Sequence, residues 1–441
     1  MASPSLKLPV IQNWSCHHCG GCCREHLIEI TEEERTRIQK QNWKLSDGIN
    51  MDRPVIRKIA PGRYRLAHQA DGACVFLDEQ GLCRIHARFG EAAKPLACRV
   101  YPYACHPAGG RLAVSLRFSC PSVVQNLGLA VSTQQPDLQR MASEIVAGKN
   151  TDVPAPLIHS GTQHGDQAVD WPDFHRILNA FDDALASDNV HFAVRLMRIL
   201  SWLDIVAQAQ FQTTRGKKLD AFLKLITDAS IKAQPDNELP EHRPGRLGRI
   251  MFRLMTAQYA RHDTEAQVQA GIRLRLKLLS AALKFTTGIG RVPELPGSAS
   301  VATVFHDEQA TTDGAVQAAR FGDIEFAFNG RRPDIDDLFT RYFRVKIQGL
   351  HFCGPGHYNT TLVDGFHGLA LMYPIVMWLA KVRAVRSGRR ELLLTDVQAA
   401  LATADHNYGY SPALGTASAL NRVSLLARMQ QISALVGWYS R

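Results

Sequence analysis

The chain has 441 residues, 45% of them hydrophobic and 21% charged, as is usual for a soluble globular protein of two or three domains. A chain of this size can bury a large core without disulfide cross-links. The net charge of +10 permits contact with acidic partners. However, the densest basic stretch, "KVRAVRSGRR", is short. This argues against a nucleic-acid-binding protein with a concentrated basic surface, so a nucleic-acid partner is not expected.

The N-terminus, "MASPSLKLPVIQNW", lacks the continuous apolar stretch of a secretory signal. The most apolar segment, "GLALMYPIVMWLA" at 368–380, is too short to span a bilayer and contains Pro374. We therefore expect a cytoplasmic protein without a membrane partner. In that reducing compartment, clustered cysteines serve as metal ligands or redox groups more often than as structural disulfides.

The first part of the chain has mixed α and β patterns. Thr31 and Glu34 have the spacing of a capping box and predict the start of a helix in "TEEERTRIQKQ". Short strands are predicted for "HLIEI", "GRYRLA", "ACVFLD" and "RLAVSLRFS". Gly81 is predicted to form the turn of a hairpin between Cys74 and Cys83.

A helical period replaces this pattern after a connector rich in turn-forming residues. Apolar residues recur at helical spacing from Phe174 to Leu185 and from Phe192 to Leu203. Further helices are predicted for "GRIMFRLMTAQYARH", "AGIRLRLKLLSAALKF", "DIDDLFTRYFRVKIQGL", "FHGLALMYPIVMWLAKVRAV", "LLTDVQAALATADHN" and "ALNRVSLLARMQQISALVGWY". The predicted fold is mainly α: a small mixed α/β cysteine-cluster metal domain at 1–125, a connector at 126–172 and a larger α-helical domain at 173–441.

Nine of the ten cysteines precede residue 121. Cys16 and Cys19 form a Cys-x2-Cys pair, which lets two sulfurs bind one ion. Gly20 and Gly21 give the following turn the flexibility that such a site needs. Cys22 and Cys23 are adjacent, and their side chains are expected to diverge, which suits two neighbouring metals or a bridged cluster.

Eight cysteines are the predicted metal ligands: Cys16, Cys19, Cys22, Cys23, Cys74, Cys83, Cys98 and Cys120. They suffice for two four-thiolate sites, whereas an iron–sulfur cluster needs only four of them. Three arginines next to cysteines, Arg24, Arg84 and Arg99, could offset part of the thiolate charge.

Two cysteines stand apart from this set. Cys105 fits no pair and is interpreted as a free thiol. Cys353 is interpreted as core packing, although His351 and His357 lie nearby at a spacing that metal ligands can have. A disulfide framework and a redox relay remain alternatives for the cysteine-rich region.

The order of the cysteine motifs resembles the CxxCxxCC family of zinc- or iron-chelating domains. The stretches that carry the likeness are "CHHCGGCC…TEEE", "CVFLDEQGLCRIH", "CRVYP" and "SLRFSCPSVV". Within this family the pattern is most similar to the flagellin lysine-N-methylase branch, which also has a long helical C-terminal part. This chain differs from the branch in the tight spacing of its first cysteines.

The resemblance implies metal or cluster binding, by zinc or an iron–sulfur cluster. The branch further implies transfer of a methyl group from S-adenosylmethionine to a lysine of a protein such as flagellin. The sequence offers no Gly-rich cofactor turn, because "GIG" at 288–290 follows a helix and is a helix cap. Catalytic and S-adenosylmethionine-binding residues are therefore not predicted. The alternatives are a non-enzymatic metal-binding or interaction module and a cysteine-cluster redox sensor.

Overall fold

We describe the protein from a computed structural model. It covers residues 4–9, 11–50, 52–147, 150–162, 165–186, 189–234, 239, 242–261, 271–294 and 317–441. The described residues contain sixteen α-helices and four small sheets of two or three strands. This confirms a mainly α fold with a small mixed α/β region at the N-terminus.

The mixed region is built from short elements. Its helices are α1 (Gly21–Glu25), α2 (Glu32–Lys40), α3 (Arg84–Phe89), α4 (Leu96–Val100) and α5 (Pro121–Val124). Its strands are β1 (Ser5–Lys7), β2 (Asn13–Trp14), β3 (Glu29–Ile30), β4 (Ile56–Ala60), β5 (Arg63–Leu66), β6 (Tyr103–Pro107), β7 (Arg111–Leu116) and β8 (Leu129–Ala130). One antiparallel sheet has the order β3-β5-β4, and a second has the order β1-β7-β6, in which β1 runs parallel to β7.

The predicted connector contains regular structure. It includes α6 (Gln135–Ile145) and a strand pair, β9 (His159–Thr162) and β10 (Gly165–Gln167). The helices that follow are α7 (Trp171–Leu185), α8 (Phe192–Val206), α9 (Lys217–Ala233), α10 (Arg246–Tyr259), α11 (Gly271–Thr287), α12 (Pro333–Gln348), α13 (Leu362–Arg386), α14 (Leu394–Asn407), α15 (Ala417–Arg428) and α16 (Gln431–Tyr439).

The capping box of α2 is present as predicted. The Glu34 amide donates to Thr31 Oγ1 over 3.2 Å, and the Thr31 amide donates to Glu34 Oε2 over 2.8 Å. Gly288 follows α11 with φ +64° and is the predicted helix cap. The prediction of a strand at "ACVFLD" is wrong, because only isolated bridges pair Cys74 with His68 and Leu77 with Cys83.

Helix α13 is longer than the apolar segment suggested. It has 25 residues and includes Pro374. By length and apolar composition it is the one helix in the described part of the chain that could cross a membrane. However, 89% of its apolar window is buried inside the protein. In this structure α13 is therefore a central core helix, against which α14 and α16 pack.

Two hydrophobic cores underlie the fold. The small one contains Ile30, Ile38, Trp43, Ile49, Leu66, Cys74, Val75, Phe76 and Ile85. The large one fills the helical part and also includes β7, α5 and Cys120. Packing is thus continuous across residue 125, and the division into domains at that point stays a prediction.

Candidate metal centre

All eight cysteines that the sequence singled out line one cavity of about 410 Å³. They come from five separate stretches of chain, which the fold brings to one place. The cavity is within the size range of small-molecule sites in proteins. Cys105, on β6, and Cys353, in the helical part, are not among its lining residues.

The first cysteine motif forms the rim and one wall of the cavity. Cys16 and Cys19 are exposed and lie in the loop before α1. Gly20 ends this loop in a left-handed conformation with φ +66°, which places Cys22 and Cys23 on the short helix. The Sγ atoms of Cys22 and Cys23 are 4.0 Å apart.

The expected divergence of the adjacent side chains is therefore wrong. Two sulfurs that bind one tetrahedral zinc ion at about 2.3 Å lie roughly 3.8 Å from each other. The observed separation of Cys22 Sγ and Cys23 Sγ, 4.0 Å, is close to that value. The two thiols can thus bind the same metal atom, and a separate metal atom for each thiol is not required.

The hairpin of Cys74 and Cys83 packs directly against this motif. The Cys74 amide donates to the Cys23 carbonyl over 2.7 Å. Cys83 precedes the first residue of α3 and is its N-cap. The turn between them depends on Gly81, which has φ +80° and whose Cβ, if present, would lie 2.5 Å from the carbonyl oxygen of His18. Glycine at this point lets the hairpin approach the motif.

Cys98 is positioned by a buried carboxylate. It lies on α4, whose first amide, of Leu96, donates to Glu34 Oε1 over 2.7 Å. The other carboxylate oxygen of Glu34 completes the capping box of α2. Glu34 thus ties α2 to the helix that carries Cys98, a role that its capping pattern alone does not reveal.

Cys120 is the N-cap of α5 and is buried. The next turn is joined to the first motif, since His17 Nδ1 and Ser122 Oγ form a 2.9 Å hydrogen bond. The Cys120 carbonyl accepts from the amides of Val123 and Val124 over 3.0 and 3.1 Å. The last predicted cysteine is therefore held between the cysteine motif and the large core.

The enclosed thiols favour their neutral form. A hydrogen bond with Cys23, together with burial, raises the pKa of Cys22 well above its ordinary value. Burial raises the pKa of Cys74, and it raises the pKa values of Cys98 and Cys120 to about 12. A negative charge on Cys22 would raise the pKa of each of these three thiols, so Cys22 is central to the group.

One cation that faces the thiols, Lys94, could not be recognised from the sequence. Lys94 lines the cavity, and its charge opposes the rise in pKa that burial causes at Cys98. Of the three arginines next to cysteines, Arg24 pairs with Asp71 at 3.0 Å and Arg84 with the Asp47 carbonyl at 3.2 Å. Arg99 also lines the cavity, and it pairs with Glu144 at 2.8 Å. No cysteine adjoins Lys94 in sequence, so only the fold reveals it.

The donor set is suited to soft metals, since thiolate sulfur selects zinc, copper(I) and iron–sulfur clusters. None of the ten cysteines, all of which are described, is in a disulfide. Across the described ranges, no three His, Cys, Asp or Glu side chains are grouped tightly enough to share a single ion. The thiols line the cavity together with other side chains, among them Trp14, His86 and Tyr101.

Comparison with known proteins agrees with this arrangement. No curated protein and no solved structure matches the chain. One family model does: residues 15–121, about a quarter of the chain, match the CxxCxxCC family, described as "Putative zinc- or iron-chelating domain". The match begins just before Cys16 and ends just after Cys120. The cavity and its eight cysteines therefore lie in a region of this mainly helical protein that is similar to a zinc- or iron-chelating type of domain.

Proposed function

We propose that the cysteine cavity binds a polynuclear metal–thiolate centre of the iron–sulfur type. The observation that carries this proposal is the convergence of eight thiols on one cavity of about 410 Å³. A structural zinc ion is enclosed by four ligands at about 2.3 Å, whereas an iron–sulfur cluster adds its own sulfides between the thiolates. The space inside this ring of thiols suits the larger group.

Four thiols are the best candidates to hold the centre: Cys22, Cys74, Cys98 and Cys120. Cys74, Cys98 and Cys120 are each close enough to Cys22 for a charge on it to raise their pKa values. Their raised pKa values mean that binding must displace their protons, as is general for thiolate metal sites. Lys94 would offset part of the negative charge that results. When bound, such a centre supplies electron transfer or a Lewis acid.

Metal and acid-labile sulfide per chain, measured on protein purified without oxygen, test this proposal. We expect iron and sulfide in similar amounts, and their loss in Cys74→Ser. The matched control is Cys105→Ser, because Cys105 lies in the same region but outside the cavity. One zinc ion per chain without sulfide, or full metal in Cys74→Ser, would contradict the proposal.

A second candidate function is methyl transfer from S-adenosylmethionine to a lysine of a protein such as flagellin. The cavity supports it because it is as large as a small-molecule site and includes aromatic side chains, Trp14 and Tyr101. The chain's own contribution would be to enclose the cofactor beside the thiols and to exclude water from it.

Calorimetric titration of the metal-loaded protein with S-adenosylmethionine tests whether this cofactor binds. Incubation with the labelled compound and flagellin then tests transfer. We expect binding that Trp14→Ala weakens, and label on lysine. No binding to fully loaded protein would contradict the methylase function and favour a non-enzymatic metal module or a redox sensor.

A further inference from the structure

We propose that a buried ion pair in the helical part, Lys346 with Asp405, positions Cys120 at the cavity. Both residues act through the backbone, so they are positioning residues. The inference rests on the proposed function, since it takes Cys120 to be a metal ligand. It goes beyond that function because it proposes that residues of the helical part position a ligand of the cysteine-rich region.

The pair is wholly enclosed. Lys346 on α12 and Asp405 on α14 approach to 2.7 Å, and neither side chain has any exposed surface. Tyr342 adds a hydrogen bond from its hydroxyl to Asp405 Oδ1 over 3.1 Å. Lys346 Nζ also lies 3.1 Å from His351 Nδ1. Two helices are thus joined by a charged contact in the middle of the large core.

The remaining hydrogen bonds of the pair all reach the chain just before Cys120. Lys346 Nζ donates to the Leu116 carbonyl over 3.1 Å. Asp405 Oδ2 accepts from the amides of Phe118 and Ser119, over 2.5 and 3.2 Å. The residues between the end of β7 and Cys120 are therefore fixed by side chains that lie more than 200 residues later in the sequence.

The other side of Cys120 is held by the same helix. Arg341 on α12 donates to the carbonyls of Val123 and Val124, at the end of α5, over 2.8 and 2.5 Å. Tyr342 packs edge-on against Phe118 with ring centroids 4.9 Å apart. Cys120 consequently belongs to the large core, whereas Cys74 belongs to the small one.

Stability alone gives little reason for such a pair. Desolvation of two charges offsets most of their attraction, and well-packed apolar residues in their place are often as stable. Apolar side chains, however, cannot accept hydrogen bonds from the amides of Phe118 and Ser119, and they cannot donate one to the Leu116 carbonyl. The specific gain from this pair is therefore the fixed geometry of the Cys120 turn.

Metal affinity and the visible spectrum of the reconstituted full-length protein test the inference. The main variant is Lys346→Met combined with Asp405→Leu, which leaves no unpaired charge, and Asp405→Asn is a milder second variant. The matched control is Lys381→Met, because Lys381 is equally buried but donates to the Phe326 carbonyl, away from Cys120. Circular dichroism verifies folding of each variant.

We expect both pair variants to lose metal affinity roughly 10-fold or more, as when supporting residues of metal ligands are replaced. Their spectra should change in the same way as that of Cys120→Ser, and a variant that combines the pair change with Cys120→Ser should bind metal no more weakly than Cys120→Ser alone. Suppose that folded Asp405→Asn and the double variant keep the affinity and the spectrum of wild type, while Cys120→Ser loses them. That result would overturn this inference and leave the proposed function standing. Full metal in Cys120→Ser would also overturn this inference, and if Cys74→Ser behaved likewise the proposed function would fall as well.

Discussion

The backbone amide of Cys74 donates a 2.7 Å hydrogen bond to the carbonyl oxygen of Cys23. This bond joins the first cysteine motif to the hairpin that carries the next two cysteines. Because a backbone hydrogen bond fixes the chain on both sides, the protein itself holds these segments together. The site is thus assembled by the fold, and the metal that we propose would complete it.

Replacement of Gly81 by alanine should damage the site more than the same change at Gly62. Both glycines have positive φ, +80° and +70°, where alanine costs roughly 1–2 kcal/mol. Only at Gly81 would the new Cβ also collide with a backbone atom, the His18 carbonyl oxygen, at 2.5 Å. We expect Gly81→Ala to be the less stable variant and to bind less metal. Equal melting temperatures and equal metal contents for the two variants would argue against close packing of the hairpin on the motif.

Removal of the charge of Lys94 should weaken metal binding. Lys94 is the lysine that faces the thiols in the described cavity wall, and thiolates carry excess negative charge when bound to divalent metals. We expect Lys94→Met to lower metal affinity several-fold and Lys94→Arg to retain most of it, as measured by competition with a chromophoric chelator. Arg24→Met is the control, since Arg24 pairs with Asp71 at the surface. Equal metal affinities of Lys94→Met and wild type would show that the charge of Lys94 does not contribute to metal binding.

Adjacent Cys22 and Cys23 should both contribute to metal content. Their sulfurs are 4.0 Å apart and both line the cavity. Serine keeps the size of cysteine but is a poorer ligand for soft metals. We expect Cys22→Ser to abolish binding, because Cys22 is coupled to the other enclosed thiols, and Cys23→Ser to reduce it. If either variant contained as much metal per chain as Cys105→Ser, the thiol that it lacks would be a packing group and not a metal ligand.

Metal removal should loosen the small core and leave the large one intact. In the described part of the chain the small core has nine buried hydrophobic residues, far fewer than the large core, so metal binding should supply much of its stability. Hydrogen exchange with and without a strong chelator measures this segment by segment. We expect faster exchange around Cys23 and Cys74, and unchanged protection of Val114 and Leu116, which lie in the large core. Uniform loss of protection in both cores would contradict the prediction.

The stability of the helical part should depend on pH through Lys381. Burial, together with the nearby charge of Arg441, lowers the pKa of Lys381 to about 7. In the unfolded chain the pKa of this lysine is about 10.4. Between pH 7 and pH 10 the lysine is therefore protonated in the unfolded state and mostly neutral in the folded state. Because the unfolded state binds more protons, the free energy of unfolding rises with pH in this range. At pH 6 we expect Lys381→Met to be more stable than wild type by on the order of a few kcal/mol.

This advantage should shrink as the pH approaches 10. Urea denaturation of both proteins at pH 6 and pH 9 measures the difference. Lys40→Met, at an exposed position, should show no such trend. A difference between Lys381→Met and wild type that does not change with pH would contradict the assignment.

Much of the cysteine site could be predicted from the sequence, because cysteine is rare and its positions form a recognisable order. All eight predicted cysteines line the cavity, and Cys105 and Cys353 do not. Helices with a clear apolar period, such as α7 and α8, were predicted within a few residues of their ends. Helix α9 was missed, although Leu219, Leu223 and Ile226 have a helical spacing and are buried.

Other features depend on tertiary contacts that no local pattern shows. The last predicted helix is in fact two, α15 and α16, which are separated at Gln430 by a left-handed residue with φ +53° that is not glycine. Lys94 faces the thiols only because the fold brings it to the wall of the cavity that the cysteines line. Lys346 and Asp405 lie on different helices, and nothing in the sequence around either residue points to Cys120.

The central claim is that the ring of cysteines holds a centre with more than one metal atom. X-ray absorption at the metal edge, on full-length protein purified without oxygen, tests it most directly. The account predicts a shell of sulfur neighbours at about 2.3 Å, the length of a metal–thiolate bond, together with a second metal atom close by. Cys74→Ser should lose this signal and Cys105→Ser should keep it. A shell of nitrogen or oxygen neighbours, or four sulfurs around a solitary metal atom, would contradict the claim.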